Sequence, residues 1–175
     1  AVAAQETKLP DIQPALLKNG MKIHLMPAGN VPIVHIKLVL ESGAALDPAG
    51  REGLASLTTD LLQEGAGSRD AQAMALLVDG WGAHLGASTS QDLIVLDLQV
   101  LSSYTPEALE LMADLVMRPR FAQADVDRIK ELTLAQTQAI RDRPDVMIRR
   151  AYPFLQFGNH PYGRPPTGTL AGLTA

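Results

Sequence analysis

Between Ile33 and Leu40 the chain alternates: Val34, Ile36, Leu38 and Leu40 fall on one side, His35, Lys37 and Val39 on the other. A two-residue period predicts a half-buried β-strand. The run from about Asp92 to Leu101 repeats the pattern, with Ile94, Leu96, Leu98 and Val100 against Val95, Asp97 and Gln99. A shorter strand is predicted over about Ala83 to Ser88. Near the N-terminus, Pro14 to Leu17 and Met21 to Met26 flank Lys18-Asn19-Gly20. Asn-Gly between short apolar runs predicts a β-hairpin with both turn positions at positive φ.

Elsewhere the period lengthens. In Gly53 to Glu64, Leu54, Leu57 and Leu61 stand at i, i+3 and i+7, the stripe of an amphipathic helix. Ser56, Thr59, Asp60 and Gln63 fall on another face, and Gly65 with Gly67 behind it is a natural stop. Gly65 to Asp70 reads as a linker with capping residues. A second helix is expected from Ala71 to Asp79, with Met74, Leu77 and Val78 inward. Thr105-Pro106-Glu107 is a helix start, with the cap at Thr105 and proline at the first helical position. That helix runs to about Met117 through Leu109, Met112 and Leu115. A polar helix follows over about Gln123 to Arg141, and another over Asp145 to about Phe154. Asn159 to Pro166 reads as an ordered loop. Grouped strands with helices between and after them predict an α+β fold, a mostly antiparallel sheet with helices packed on one face.

Composition narrows the function. With 175 residues, 46% hydrophobic and 19% charged, the chain can bury one sizeable core. A net charge of −4 leaves no electrostatic footprint for nucleic acid. No apolar run approaches the ~20 residues of a membrane span. With no cysteine, disulfides and thiolate metal sites are excluded. Ala1-Val2-Ala3-Ala4-Gln5 resembles the small-residue region of a processed signal-peptide site, so residues 1–12 are read as an exported-protein-like extension and the location as periplasmic or secreted. Thr167 to Ala175 offers no closing element and reads as a cut inside a domain.

Few chemical motifs stand out. Gly80-Trp81-Gly82-Ala83-His84-Leu85-Gly86 has the wrong spacing for a dinucleotide loop and follows a helix rather than a strand. His24, His35, His84 and His160 are scattered, with no two at i, i+3 or i+4 on a helix. The first three read as partly exposed strand residues rather than ligands, and His160 as a packing or hydrogen-bonding residue of its loop. Ser56 and Asp60 could be surface features, and a helical Ser or Thr often bonds the backbone at i−4.

Four segments, in order, resemble the pitrilysin/insulinase (M16) family of zinc peptidases. Leu17 to Ile23 is like the family's opening hairpin. Glu41-Ser42-Gly43-Ala44 with Gly53-Leu54-Ala55 is like its approach to the metal helix. Leu115 to Phe121 resembles its L-x-N-P-x-F segment, and His160-Pro161-Tyr162-Gly163 with Gly168-Thr169 resembles its H-P-Y-G…G-T segment. The resemblance implies that residues 13–175 form most of one α/β half-domain, truncated at its C-terminal side.

Active members carry His-x-x-Glu-His on the first helix: two zinc ligands around a general base. By resemblance those positions here are Ser56, Thr59 and Asp60, and the third ligand, a Glu on a later helix, falls near Ala135-Gln136, with Gln136 favoured. One carboxylate, two hydroxyls and an amide replace the ligands and base, so neither zinc nor hydrolysis is expected in this chain. Gly82, Ala83, His84, Leu85, Gly86, Ala87 and Ser88 resemble the edge strand that pairs with extended peptide, a contact made by backbone.

The resemblance therefore implies a non-catalytic subunit of a heterodimeric zinc metalloendopeptidase. Its partners would be a homologous catalytic subunit holding the zinc, the remaining half of its own subunit, and peptide substrate. A rival reading is a structural assembly subunit like the peptidase-related core proteins of the cytochrome bc1 complex. An independent enzyme built on Asp60 lacks any partner residue for it.

Overall fold

The computed structural model describes residues 11–29 and 31–174. The extension read over residues 1–12 lies almost wholly outside them. The chain divides into two units, Ala1–Pro32 and Ile33–Ala175.

The first unit holds a hairpin, β1 (Gln13–Leu16) antiparallel to β2 (Lys22–Leu25), with Gln13 opposite Leu25 and Leu16 opposite Lys22. Its turn differs from the expected one. Gly20 has φ +86°, whereas Asn19 does not enter the left-handed region. Gly20 N–H donates to Leu17 O at 3.0 Å, Leu17 N–H to Met21 O at 2.9 Å, and Met21 N–H to the Asn19 side chain at 3.1 Å. This is a three-residue loop: a turn closed by one left-handed glycine.

The second unit is built on a three-stranded antiparallel sheet of β3 (Ile33–Leu40), β6 (His84–Thr89) and β7 (Ile94–Leu101), in the order β3-β7-β6. Central β7 alternates as expected: Ile94, Leu96, Leu98 and Val100 are buried, and Val95, Asp97 and Gln99 are half-buried. The buried side meets α2 (Ala71–Gly80) through Met74, α3 (Thr105–Met117) through Ala108, Leu111, Met112 and Leu115, and α1 (Leu54–Leu62) through Leu62. The helices thus cover one face of the sheet, giving the expected α+β layering.

Several local expectations are corrected. Gly65 is not the stop of α1 but the first residue of β4 (Gly65–Ala66), which pairs with β5 (Arg69–Asp70), so the linker is a miniature hairpin. The segment after α3 joins it: Arg120 N–H donates to Gly65 O and Gly67 N–H to Arg118 O, at 3.0 and 2.8 Å. Thr105 is the first residue of α3 rather than its cap, its hydroxyl donating back to Ser102 O at 2.8 Å. Leu109 is 52% exposed, because the sheet-facing stripe runs through Ala108, Leu111 and Leu115. Trp81 ends α2 and stacks on Tyr104 at 5.8 Å, so the glycine-rich stretch around it is a helix-to-strand turn. Helices α4 (Gln123–Ala139) and α5 (Pro144–Phe157) follow, and a short α6 (Leu170–Thr174) stands where no closing element was foreseen.

Candidate functional site

The site is organised by α1, and what holds α1 comes from distant parts of the chain. Its N-terminal N–H groups need acceptors. The buried Asp47 carboxylate accepts from Gly53 N–H at 2.8 Å and from Ala55 N–H at 2.9 Å. Asp47 sits in a loop pinned beneath the β6–β7 turn, with Ala44 N–H donating to Ser90 O and Ala45 N–H to Gln91 O. Gly43 makes that approach possible, since a Cβ there would stand 2.4 Å from Gln91 O. No local sequence pattern reveals a carboxylate that caps a helix six residues on.

The segment from His160 to Thr169 closes the other side of the helix entrance. Gly168, at φ +85°, passes so close that a Cβ would lie 2.4 Å from Glu52 O. Thr169 N–H donates to that same oxygen at 3.3 Å, and Arg164 pairs with the Glu52 carboxylate at 3.6 Å. Gly50 N–H, bonded to Glu52 at 3.0 Å, holds the Glu52 carboxyl below the usual range. His160 is a loop residue as expected: its Nδ1 accepts from Tyr162 N–H at 3.2 Å, beside Phe157. Tyr162 in turn donates its hydroxyl to Asp92 at 2.6 Å, which pushes the phenol pKa up.

The side of α1 that turns inward follows the leucine stripe only in part: Leu61 is 6% exposed and Leu57 is half-buried. Leu54 is 44% exposed, while Thr59 is 1% exposed and Leu62 is buried. Thr59, Leu61 and Leu62 are the buried residues of α1, with Ala55 half-buried one turn before Thr59. Thr59 is buried because its hydroxyl is satisfied. It donates to Ala55 O at 2.8 Å, and the Thr89 hydroxyl of β6 bonds to it at 2.6 Å. A threonine in the core looks polar to a hydropathy reading; only the i−4 back-bond hinted at this placement.

Asp60 is half-buried, and burial followed by the charge of Glu64 one turn on raises its carboxyl pKa. Glu64 itself pairs with Arg128 of α4, which also reaches Asp125 at 3.5 Å. Ser56 is half-buried beside them, and Gln136 is exposed on α4 with no hydrogen bond to α1 among the described residues.

This donor set does not fit zinc. A catalytic zinc needs three strong donors and an open position. Here the Thr59 hydroxyl is neutral, buried and already bonded on both sides. Ser56 and Gln136 are neutral, leaving Asp60 as the sole anion. Among the described residues no group of three His, Asp or Glu side chains converges as a metal would require. His35 and His84 are brought nearer than the sequence suggests, as the register sets them on either side of Gln99, but nothing completes a triad there.

Among the described residues, strand β6 lies at the sheet edge, hydrogen-bonded to β7 alone. Leu85, Ala87 and Thr89 stand opposite the buried Leu98, Leu96 and Ile94, so they face α1 and the core. His84, Gly86 and Ser88 face the open side. Gly82 and Ala83, expected in this strand, belong to the turn before it, with Gly82 at φ +60°.

Comparison with known proteins places this geometry. Residues 25–169 match the family described as Insulinase (Peptidase family M16). An uncharacterized zinc protease of Rickettsia bellii is 29% identical over 153 residues, covering 87% of this chain and 37% of that protein. The crystal structure of an inactive M16 peptidase domain from Pseudomonas fluorescens superposes with a TM-score of 0.85 at 28% identity, covering 94% of this chain and 42% of that one. The periplasmic protease PqqL of Escherichia coli shares the fold, with a TM-score of 0.80 at 16% identity over 96% of this chain and 20% of its own. This chain spans less than half the length of each of them. With its edge strand, its α1 and the segments that brace it, the chain belongs to the insulinase family of peptidases, M16.

Proposed function

We propose that this chain is part of a non-catalytic subunit of a heterodimeric zinc metalloendopeptidase. It encloses and binds peptide for a homologous partner subunit that carries the intact zinc motif. One observation supports the reading above others: α1 keeps its seat against edge strand β6, through Thr59 and Thr89, while the positions that would grip zinc carry Ser56, Thr59, Asp60 and Gln136. Scaffold and chemistry have separated. The inactive M16 domain of Pseudomonas fluorescens, similar over nearly the whole chain, supports the same separation.

The binding role rests on β6. Its outer edge offers unpaired N–H and C=O groups, and an extended peptide adds to such an edge by main-chain hydrogen bonds. Residues 82–88 would supply that edge. Residues 13–175 are most of one half-domain, and the remainder of the subunit would complete the enclosure. A periplasmic or secreted location accords with the E. coli relative, which is described as periplasmic.

The test is to assay hydrolysis of a quenched fluorescent peptide by this chain alone and after co-expression with an M16 subunit carrying His-x-x-Glu-His. Hydrolysis that needs both chains and stops on chelation supports the proposal. Chelator-sensitive hydrolysis by this chain alone contradicts it.

A further inference from the structure

The open side of β6 carries a gap. Gly86 stands between His84 and Ser88 on that side, and its cross-strand partner on β7 is Asp97. With no side chain at Gly86, the Asp97 carboxylate, 30% exposed, is reachable from beyond the sheet edge. Its present partner is Lys37 of β3 at 3.3 Å, and that lysine is 64% exposed. The His84 imidazole forms one wall, its Nε2 3.8 Å from where a Gly86 Cβ would stand.

We infer that this gap selects a basic side chain, Lys or Arg, in a peptide paired to β6 at the position opposite Gly86. The inference rests on the edge-strand reading proposed above. A strand added outside β6 lies two strand spacings from β7, about 9.6 Å. A Lys or Arg side chain and the carboxylate together cover that distance when nothing stands between them. Any residue larger than glycine at position 86 would fill the path. The exposed Lys37–Asp97 pair does not bar the newcomer, because such pairs contribute little and exchange easily. Asp97 then lies between two cations, one from β3 and one from the peptide, as opposite charges pair across strands.

The experiment measures binding of two fluorescent extended peptides that differ only in a central arginine or its neutral isostere citrulline. The arginine peptide is expected to bind about fivefold tighter, the upper range of a cross-strand charge pair. The preference shrinks as salt rises. Asp97→Asn removes it. Gly86→Thr also removes the preference between the two peptides, and this variant tolerates its side chain, since Gly86 has no positive φ and its Cβ would meet only His84 at 3.8 Å. Equal binding of the two peptides overturns the inference and leaves the edge-strand reading standing. A preference that survives Gly86→Thr also overturns it. Binding of neither peptide overturns both.

Discussion

Asp114 shows what one residue carries. It is 8% exposed, and its two oxygens take Arg118 from α3's own end and Arg69 from β5. The Arg118 hydrogen bond, reinforced by Arg69, holds its carboxyl below the usual range against the opposing effect of burial. A carboxylate whose folded pKa is depressed adds stability above its unfolded pKa and loses it as pH falls through the folded one. Urea unfolding is therefore expected to show stability declining below the usual carboxylate range, with part of that decline absent in Asp114→Asn. Asp60 has the opposite sign. Its raised pKa makes ionisation unfavourable to the fold, so its contribution worsens as pH rises above the usual carboxylate range. Asp60→Asn is expected to raise stability at neutral pH by about 0.5 kcal/mol and to remove that slope.

At the scale of elements, the entrance to α1 is held by capping bonds and close backbone contacts. Asp47→Ala strips two helix N–H groups of their acceptor and is expected to cost about 1–2 kcal/mol in urea unfolding. Gly168→Ala places a Cβ against Glu52 O at a left-handed φ and is expected to cost more than about 2 kcal/mol. Strands β3 and β7 were legible because one face is buried in β7 and half-buried in β3, so their side chains alternate. Helix limits were legible to within a few residues for α2, α3 and α4. The inward side of α1 was legible only in part: Leu61 is buried as its stripe requires, but Thr59 is a threonine satisfied by a residue 30 positions away. The β4–β5 hairpin was invisible for a related reason: two-residue strands carry no period, and the segment after α3 that braces them is distant in sequence. The brace at Asp47 and Glu52 likewise depends on contacts that only the fold creates.

For the whole molecule, what persists and what has changed separate cleanly. Gly43, Gly163 and Gly168, in the segments that resemble the peptidases, each meet backbone where a Cβ would not fit. Those residues answer to packing, which keeps the segments that carry the resemblance recognisable. The positions that the resemblance assigns to the metal carry residues that answer to the core, as Thr59 does, or to solvent, as Gln136 does. Among the described residues no helix is long and apolar enough to cross a membrane.

The central claim is that this scaffold keeps the place of a catalytic metal without the means to hold one. Elemental analysis after equilibration with zinc and removal of the free ion tests it most directly. The account predicts no stoichiometric zinc, and no change in bound metal on Asp60→Ala. Stoichiometric zinc that is lost on Asp60→Ala or Gln136→Ala would contradict it.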